Sequence, residues 1–491
     1  MGTTEIPKNV IVHLGLGAFH RTHQAVYTQL ATDASPDRWM IEAVAMRNRD
    51  LADALNRQGG RYHLLEADAQ GSKITAIDVI DKAYHLPSQA HTILQRFADE
   101  QVKLVTLTVT EKGYCFSGAG RELDFTHGGI VHDLQHPDRP TTAIGLIVSG
   151  LAARRHALAA DGSDQKGKGI TLISCDNLEV NGDLLKGLIC GFANRLDANL
   201  ARWIEDHCRF PNTMVDRITP APSDETRQTV FHKTGHRDAL AVAAEPFSQW
   251  VIEDDFAGRR PDWEKAGVMI VPDVRPFELT KLRMLNGAHS LIAYLGTVFG
   301  YETVSDVMDR GPLATLVASH MNLAATTLPN LPQLEFGTYR DDLVARFRNP
   351  VLRHQCRQIA MDGSQKMPLR IFAPAREILN SGGNASSFAL ASALWIAHLG
   401  LSGSSSPLGQ LADPLADDLT SFSSALSEMQ TTGFGALFDG FANLPGLVDE
   451  GLFSQSEWRG EVAKWLSIVV QRDERLLLEN VTSLTDQMNG R

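Results

Sequence analysis

Residues Asn9 to Leu14 (NVIVHL) are a short apolar run suited to a buried strand, and they lead without a linker into Gly15-Leu16-Gly17-Ala18-Phe19-His20-Arg21 and a helical pattern through Leu30. No other stretch constrains the fold as much: a buried strand, a tight glycine turn and a helix start in direct succession open a parallel sheet with crossover helices. The same turn suits a dinucleotide. Its glycines let the backbone bend and approach a pyrophosphate, whose charge would lie against the free N–H groups of the helix start. His20 stands where the usual fingerprint has its third glycine. In a chain with 40 glycines, a Gly-x-Gly pair gains weight only from its place after the first strand.

The alternation continues through the first half. Met40 to Ala45, Leu104 to Val109 and Ile170 to Ser174 read as short strands, and Leu94 to Gln101 and Ala143 to Leu158 as helices between them. After about Pro276 the strand-like runs stop and amphipathic patterns such as Leu279 to Leu295 and Leu313 to Leu323 take over. The expected fold class is therefore α/β: a Rossmann-type parallel-sheet N-terminal domain over 1–275, followed by a mainly α-helical C-terminal domain over 276–491, with a cleft between them. A length of 491 residues, 43% of them hydrophobic, agrees with two or three domains. Loops are expected at Asp161 to Gly169 and Gly403 to Pro407, and no internal repeat is visible.

Lys281-Leu282-Arg283-Met284-Leu285-Asn286-Gly287-Ala288-His289-Ser290 sets a lysine, an amide and an imidazole along what reads as one helix. At about 100° and 1.5 Å per residue, Asn286 lies about 140° and His289 about 80° from Lys281, on one broad face roughly 12 Å long. Interleaved Leu282, Met284 and Leu285 would partly desolvate the lysine, and burial lowers an ammonium pKa toward the range where it accepts a proton near neutrality. Taken alone, a surface Lys, a capping Asn and a core His would explain the segment better.

Composition narrows the function classes. A net charge of −12 argues against nucleic-acid or membrane-surface partners, which call for a basic face. Cys115, Cys175, Cys190, Cys208 and Cys356 are odd in number and form no C-x-x-C pair, so free thiols in a reducing compartment are expected. Met1 to Val10 lacks an apolar signal region and nowhere do eighteen apolar residues run together, which makes a cytoplasmic protein the expectation. Oligomeric state is not legible. Gly162, Gly167 and Lys168 imitate a Walker A loop, but Gly169 replaces the Ser or Thr that would hold Mg²⁺, and the loop precedes a strand when it should follow one. The sequons at Asn384 and Asn480 are chance matches in a cytosolic chain.

Seven motifs in order carry a resemblance: Gly15 to Arg21 (GLGAFHR), Thr108 to Tyr114 (TVTEKGY), Ser174 to Gly182 (SCDNLEVNG), Met214 to Pro220 (MVDRITP), Glu245 to Asp255 (EPFSQWVIEDD), Lys281 to Ser290 and Asp362 to Pro368 (DGSQKMP). Together they resemble the mannitol dehydrogenase and fructuronate reductase family, the polyol-specific long-chain dehydrogenases. Ser248 departs from the pattern, where an Arg is common.

The resemblance implies an NAD-dependent, metal-independent oxidoreductase acting on a small sugar acid or polyol. D-fructuronate reduced to D-mannonate is the first substrate pair, and mannitol or another hexitol or pentitol the second. Gly15, Gly17, Ala18, Phe19, His20 and Arg21 would cradle the cofactor. Thr110, Glu111 and Lys112, at a strand's carboxyl end, would add contacts, with Lys112 a rival catalytic lysine. Asp50, after the second strand, would hold a ribose 2′-hydroxyl and favour NAD, while Arg47 and Arg49 beside it leave room for NADP. In the implied mechanism Lys281 is the general acid/base, Asn177 and Asn286 point amides at the developing alkoxide, His289 bonds substrate, and Glu278 tunes or relays the proton. Asp216, Arg357 and Lys366 would line the substrate region, with Arg353 an alternative register for the arginine.

Other classes fare worse. None of the seven tyrosines is followed by a lysine four residues later, as a short-chain dehydrogenase requires, and clustered Cys and His ligands for zinc are missing. A protein that senses NAD without turning it over would have no reason to keep Lys281, Asn286 and His289 in register.

Overall fold

The structure, a computed structural model, describes residues 9–118, 120–160, 169–403, 408–423, 426, 433–444, 447 and 451–490. The chain divides into two compact units, Met1–Arg275 and Pro276–Arg491. Of the two loops read from the sequence, only Gly169 and Gly403 are among the described residues.

Among its described residues the first unit holds eleven strands: β1 (Asn9–Leu14), β2 (Trp39–Ala45), β3 (Tyr62–Asp68), β4 (Gly71–Ile77), β5 (Ile80–His85), β6 (Val102–Leu107), β7 (Thr171–Ser174), β8 (Thr213–Asp216), β9 (Val242–Ala244), β10 (Gln249–Glu253) and β11 (Met269–Val271). The main sheet runs β5-β2-β1-β6-β7 with every pairing parallel, the order of five of the six strands of a doubly wound nucleotide-binding fold. All six residues of β1 are buried, as a central parallel strand covered on both faces demands. Among its crossover helices, Ala143–Ala160 is long and apolar enough to cross a membrane by length and composition, but 61% of it is buried inside the unit.

Several boundaries differ from the sequence reading. β6 was expected at Leu104 to Val109 but ends at Leu107, because the Val109 and Thr110 N–H groups bond the Asp176 carboxylate at 2.9 and 3.0 Å and leave the ladder. The helix expected at Leu94 to Gln101 is Leu86–Ala98. Pro87 fits its first turn, and the Gln101 carbonyl already accepts the Val10 N–H at 2.9 Å. The hairpin β3–β4 and the small sheets β4-β3-β9 and β11-β10-β8 were not foreseen. Their strands are short or, like β4, mostly exposed and polar, so no apolar run marks them.

The second unit contains no strand among the described residues. Gly287–Phe299 and Ser386–Leu401 are buried on nearly every side and pack on one another, which makes them its central helices.

Burial in both units keeps several imidazoles neutral. Desolvation pushes His13 and His320 down to about 3 and His398 to about 4, against an ordinary 6.5. The unfolded chain binds these protons below 6.5 and the folded chain does not. This contribution to stability is therefore fully present above 6.5 and lost as pH falls from there toward 4 and 3, by up to about 1.4 kcal/mol per pH unit for each histidine. Thermal unfolding followed from neutral pH downward should show a melting temperature that falls before carboxylates begin to titrate. A melting temperature that holds level over that range contradicts this account.

Candidate active site

The glycine turn sits where the carboxyl ends of β1 and β6 meet, the switch point of the sheet. Gly15 has φ +104°, and a Cβ there would stand 2.0 Å from the Thr108 carbonyl oxygen, so the protein itself requires glycine. Gly17 differs: a Cβ on it would meet only the Gly15 oxygen, at 3.7 Å. It precedes the five-residue helix Ala18–Thr22, whose first N–H groups have no intrahelical acceptor. Backbone donors beside an uncrowded glycine fit a pyrophosphate. The side chains of His20 and Arg21 point into the unit. The His20 ring stacks on His13 with centroids 3.5 Å apart, and the Arg21 guanidinium bonds the Gly17 and Leu240 carbonyls. Below the turn, His13 bridges the Thr106 and Thr108 hydroxyls at 2.8 and 2.9 Å.

Asp50 lies in the first turn of helix Arg49–Arg57, not in a loop: the Asn48 side chain caps that helix by accepting the Leu51 N–H at 3.0 Å. A carboxylate there also favours the helix dipole. Arg47 is exposed, and Arg49 pairs loosely with Asp53 at 3.6 Å. Glu111 and Lys112 are exposed on the short turn Glu111–Tyr114.

The loop after β7 carries a residue the sequence reading passed over. Asp176 accepts from Val109 N–H, Thr110 N–H and the Tyr114 hydroxyl, the last at 2.9 Å, and so ties the β6 and β7 loops together. Burial raises its carboxyl above the usual range, opposed by those donors. Asn181 spans the same region, giving its amide to the Ser174, Asp176 and Thr213 carbonyls and accepting the Thr213 N–H at 2.9 Å. Asn177 thus sits on a braced loop flanked by two β-branched residues at positive φ, Thr110 (63°) and Val180 (42°), a conformation that costs about 1–3 kcal/mol each. Asp216, 7% exposed, ends β8. Its neighbour Arg217 is structural, spending its guanidinium on Glu66 and the Thr22 and Glu245 carbonyls. The Ser248 hydroxyl oxygen is buried without a partner.

In the second unit, Lys281–Asn286 is a π-helical segment between helices Arg275–Thr280 and Gly287–Phe299, which corrects the single α-helix expected over Leu279 to Leu295. The i→i+5 register takes more residues per turn, so Asn286 swings toward the Lys281 side and away from the offset of an α-helix. Thr280, whose hydroxyl bonds back to the Pro276 carbonyl at 2.8 Å, stands where the register changes. Lys281 is 8% exposed, while Asn286 and Glu278 are half-buried. His289 packs between Phe347 and His354, with ring centroids at 4.6 and 5.3 Å. Arg283 clamps the segment with a two-pronged pair to Glu377, 2.6 Å on each arm, and a bond to the Thr327 carbonyl.

A second π segment, Pro368–Phe372, packs against the first. Gly287 permits the approach, since a Cβ there would already stand 3.3 Å from the Arg370 carbonyl oxygen. Lys366, half-buried just before it, donates to the Ile359 carbonyl at 3.2 Å and to that of Met361. Arg357 and Arg353 do not accompany it. Arg357 is exposed, its Nη2 bound to the Leu408 carbonyl at 2.5 Å, and Arg353 is exposed and 3.9 Å from Glu302. The arginine that does lie beside Asn286 is Arg370, for which the sequence offered only the short spacing from Lys366. Among the described residues no group of three or more His, Cys, Asp or Glu side chains is placed to hold a metal ion.

A doubly wound sheet with a two-glycine turn at its switch point, joined to a helical unit that buries a lysine one π turn from an amide, defines a two-unit dehydrogenase. Residues 9–265 match the mannitol dehydrogenase Rossmann domain and residues 273–434 the mannitol dehydrogenase C-terminal domain. The chain belongs to the mannitol dehydrogenase family and is an oxidoreductase. It is 43% identical to D-mannonate oxidoreductase of Escherichia coli (strain K12) over 79% of each chain. Among solved structures it is similar to a substrate-free D-sorbitol dehydrogenase, with a TM-score of 0.82 and 28% identity over 97% of this chain and 94% of that one. It is also similar to mannitol 2-dehydrogenase of Pseudomonas fluorescens in ternary complex with NAD and D-mannitol, with a TM-score of 0.74 and 30% identity over 99% and 95%.

Proposed function

We propose that this chain is an NAD-dependent, metal-independent oxidoreductase that interconverts a keto-sugar acid and its alcohol, D-fructuronate and D-mannonate being the first candidates. The observation that carries the reading is the buried Lys281 one π turn before Asn286, within a chain similar over most of its length to a D-mannonate oxidoreductase. NAD, when bound, supplies or accepts the hydride, and the backbone at Gly15 to Phe19 is suited to hold its pyrophosphate. As negative charge develops on the substrate oxygen, Lys281 donates a proton to it in reduction and removes one in oxidation. The amides of Asn286 and Asn177 hold that oxygen. A buried ammonium with two amides can stabilise an alkoxide without a metal. Glu278, three residues before Lys281, would exchange its proton with solvent, and His289 and Asp216 would bond sugar hydroxyls.

A polyol reading has support in the likeness to the mannitol 2-dehydrogenase complex. Initial rates with NADH and NADPH, against fructuronate and fructose, separate the two. Fructuronate should exceed fructose in kcat/KM by at least about 10-fold, the scale of one charge-assisted hydrogen bond, with NADH the better cofactor. Preference for fructose replaces this reading with the polyol one, and preference for NADPH overturns the cofactor assignment.

A further inference from the structure

A half-buried cation without a paired carboxylate calls for an explanation, and Arg370 is one. Its Nη1 reaches the Asn286 carbonyl oxygen at 3.4 Å and the Ser290 hydroxyl at 3.3 Å, both long contacts to neutral groups. Its Nε and Nη2 make no hydrogen bond, and among the described residues no carboxylate pairs with it. Of the more deeply buried guanidinium groups, Arg283 and Arg217 are paired with Glu377 and Glu66, and Arg21 bonds the Gly17 and Leu240 carbonyls. Desolvation pulls the Arg370 guanidinium down to about 10, so the surrounding dipoles do not make good what burial takes away. Lys366, four residues earlier, is pulled down by burial and then by Arg370 itself, and its nearest carboxylate, Asp362, is 3.9 Å away. Two cations therefore stand close enough to repel one another where desolvation also opposes them, and the charges of Asp362 and Asp413 offset this for Lys366 only. Such a cluster is stable only if something else keeps it or an anion arrives with the ligand.

We propose that Arg370 recognises the carboxylate of the substrate, its planar fork taking the acid group at the far end of a keto-sugar acid whose ketone faces Lys281 and Asn286, with Lys366 as a second positive charge. This assigns to Arg370 the part expected above of Arg357, whose guanidinium is exposed and tied to the Leu408 carbonyl. It rests on the oxidoreductase reading above. The free Nε and Nη2 are one edge of the guanidinium, the edge that binds a carboxylate with two parallel N–H···O bonds. A lysine in the same place would give charge without that geometry.

The test uses the enzyme with NADH, as wild type, Arg370→Gln and Arg370→Lys, assayed on fructuronate and fructose, together with thermal shifts produced by mannonate and mannitol. In Arg370→Gln the ratio of kcat/KM for fructuronate to that for fructose should fall about 10- to 100-fold, mainly through KM, with Arg370→Lys in between. The unliganded Arg370→Gln protein should melt no lower than wild type, because an unpaired, half-buried charge has been removed, while the shift given by mannonate is lost. If wild type prefers fructuronate and Arg370→Gln keeps that preference, the role of Arg370 is overturned and the proposed function stands. If wild type does not prefer fructuronate, the proposed function itself fails. An equal fall in kcat for both substrates, or a melting temperature well below wild type with selectivity intact in Arg370→Lys, makes Arg370 a support for the Asn286 carbonyl and overturns carboxylate recognition.

Discussion

Lys281→Ala lowers the turnover number by about 10²-fold or more, equivalent to roughly 2.7 kcal/mol of transition-state stabilisation, and leaves the dissociation constant for NADH close to that of the parent. The expectation rests on burial and register together. Lys281 is almost closed to solvent on a π turn whose other end is Asn286, and the turn is clamped from the side by Arg283 and Glu377. Its loss therefore removes a proton donor from a rigid site into which water has little access to substitute. Single-turnover rates with saturating substrate, read beside NADH fluorescence titration, check both halves. Activity within a few fold of wild type removes Lys281 from the mechanism, and Lys112, exposed on its short turn, inherits the question.

Gly15→Ala and Gly17→Ala, two residues apart, should fail in different ways. At Gly15 a methyl group meets the Thr108 carbonyl at 2.0 Å in a backbone conformation with φ +104°, so the variant must break the junction of β1 and β6. A loss of about 3 kcal/mol or more of stability follows from the strain and overlap combined. At Gly17 the methyl group finds no protein atom closer than 3.7 Å. Gly17→Ala should therefore fold with a melting temperature near wild type and lose NADH affinity, since on the proposed reading the obstructed space is the cofactor's. Chemical denaturation and cofactor titration on the pair decide it. Equal destabilisation by both substitutions would mean that the turn is structural throughout and that the pyrophosphate lies elsewhere.

What could be read from the chain depended on whether the signal was local. β1 and its glycine turn were legible because burial on both faces writes a continuous apolar run, and the switch from strand to helix is punctuated by Gly15 and Gly17. Lys281, Asn286 and His289 were legible as residue types, but their geometry was not: an α-helical period was assumed, and nothing in KLRMLN marks the wider turn. Asp176 and Asn181 were missed although they lie within a quoted motif, because their work is to bond backbone groups contributed by β6 and β8, far away in sequence. Arg357 was named, with Arg353 as its alternative, and Arg370 was not considered, for a similar reason. Arginines in one stretch look alike until the fold pins Arg357 to the Leu408 carbonyl and sets Arg370 beside Asn286.

The π turn at Lys281 also bears on how this chain can change length. Such a turn is an α-helix that has absorbed an extra residue, and the helix after it, Gly287–Phe299, has twelve buried residues among thirteen, so it has no face to spare. Deleting one residue between 281 and 286 would return the segment to ordinary α-helix without turning the helix beyond it, because the wider turn holds one residue more over nearly the same rotation. Tyr294 and His289 would keep their places in the helix packing, while Asn286 would swing away from Lys281. A one-residue change of length at this turn therefore acts on the relation of Lys281 to Asn286 before it acts on the core of the second unit.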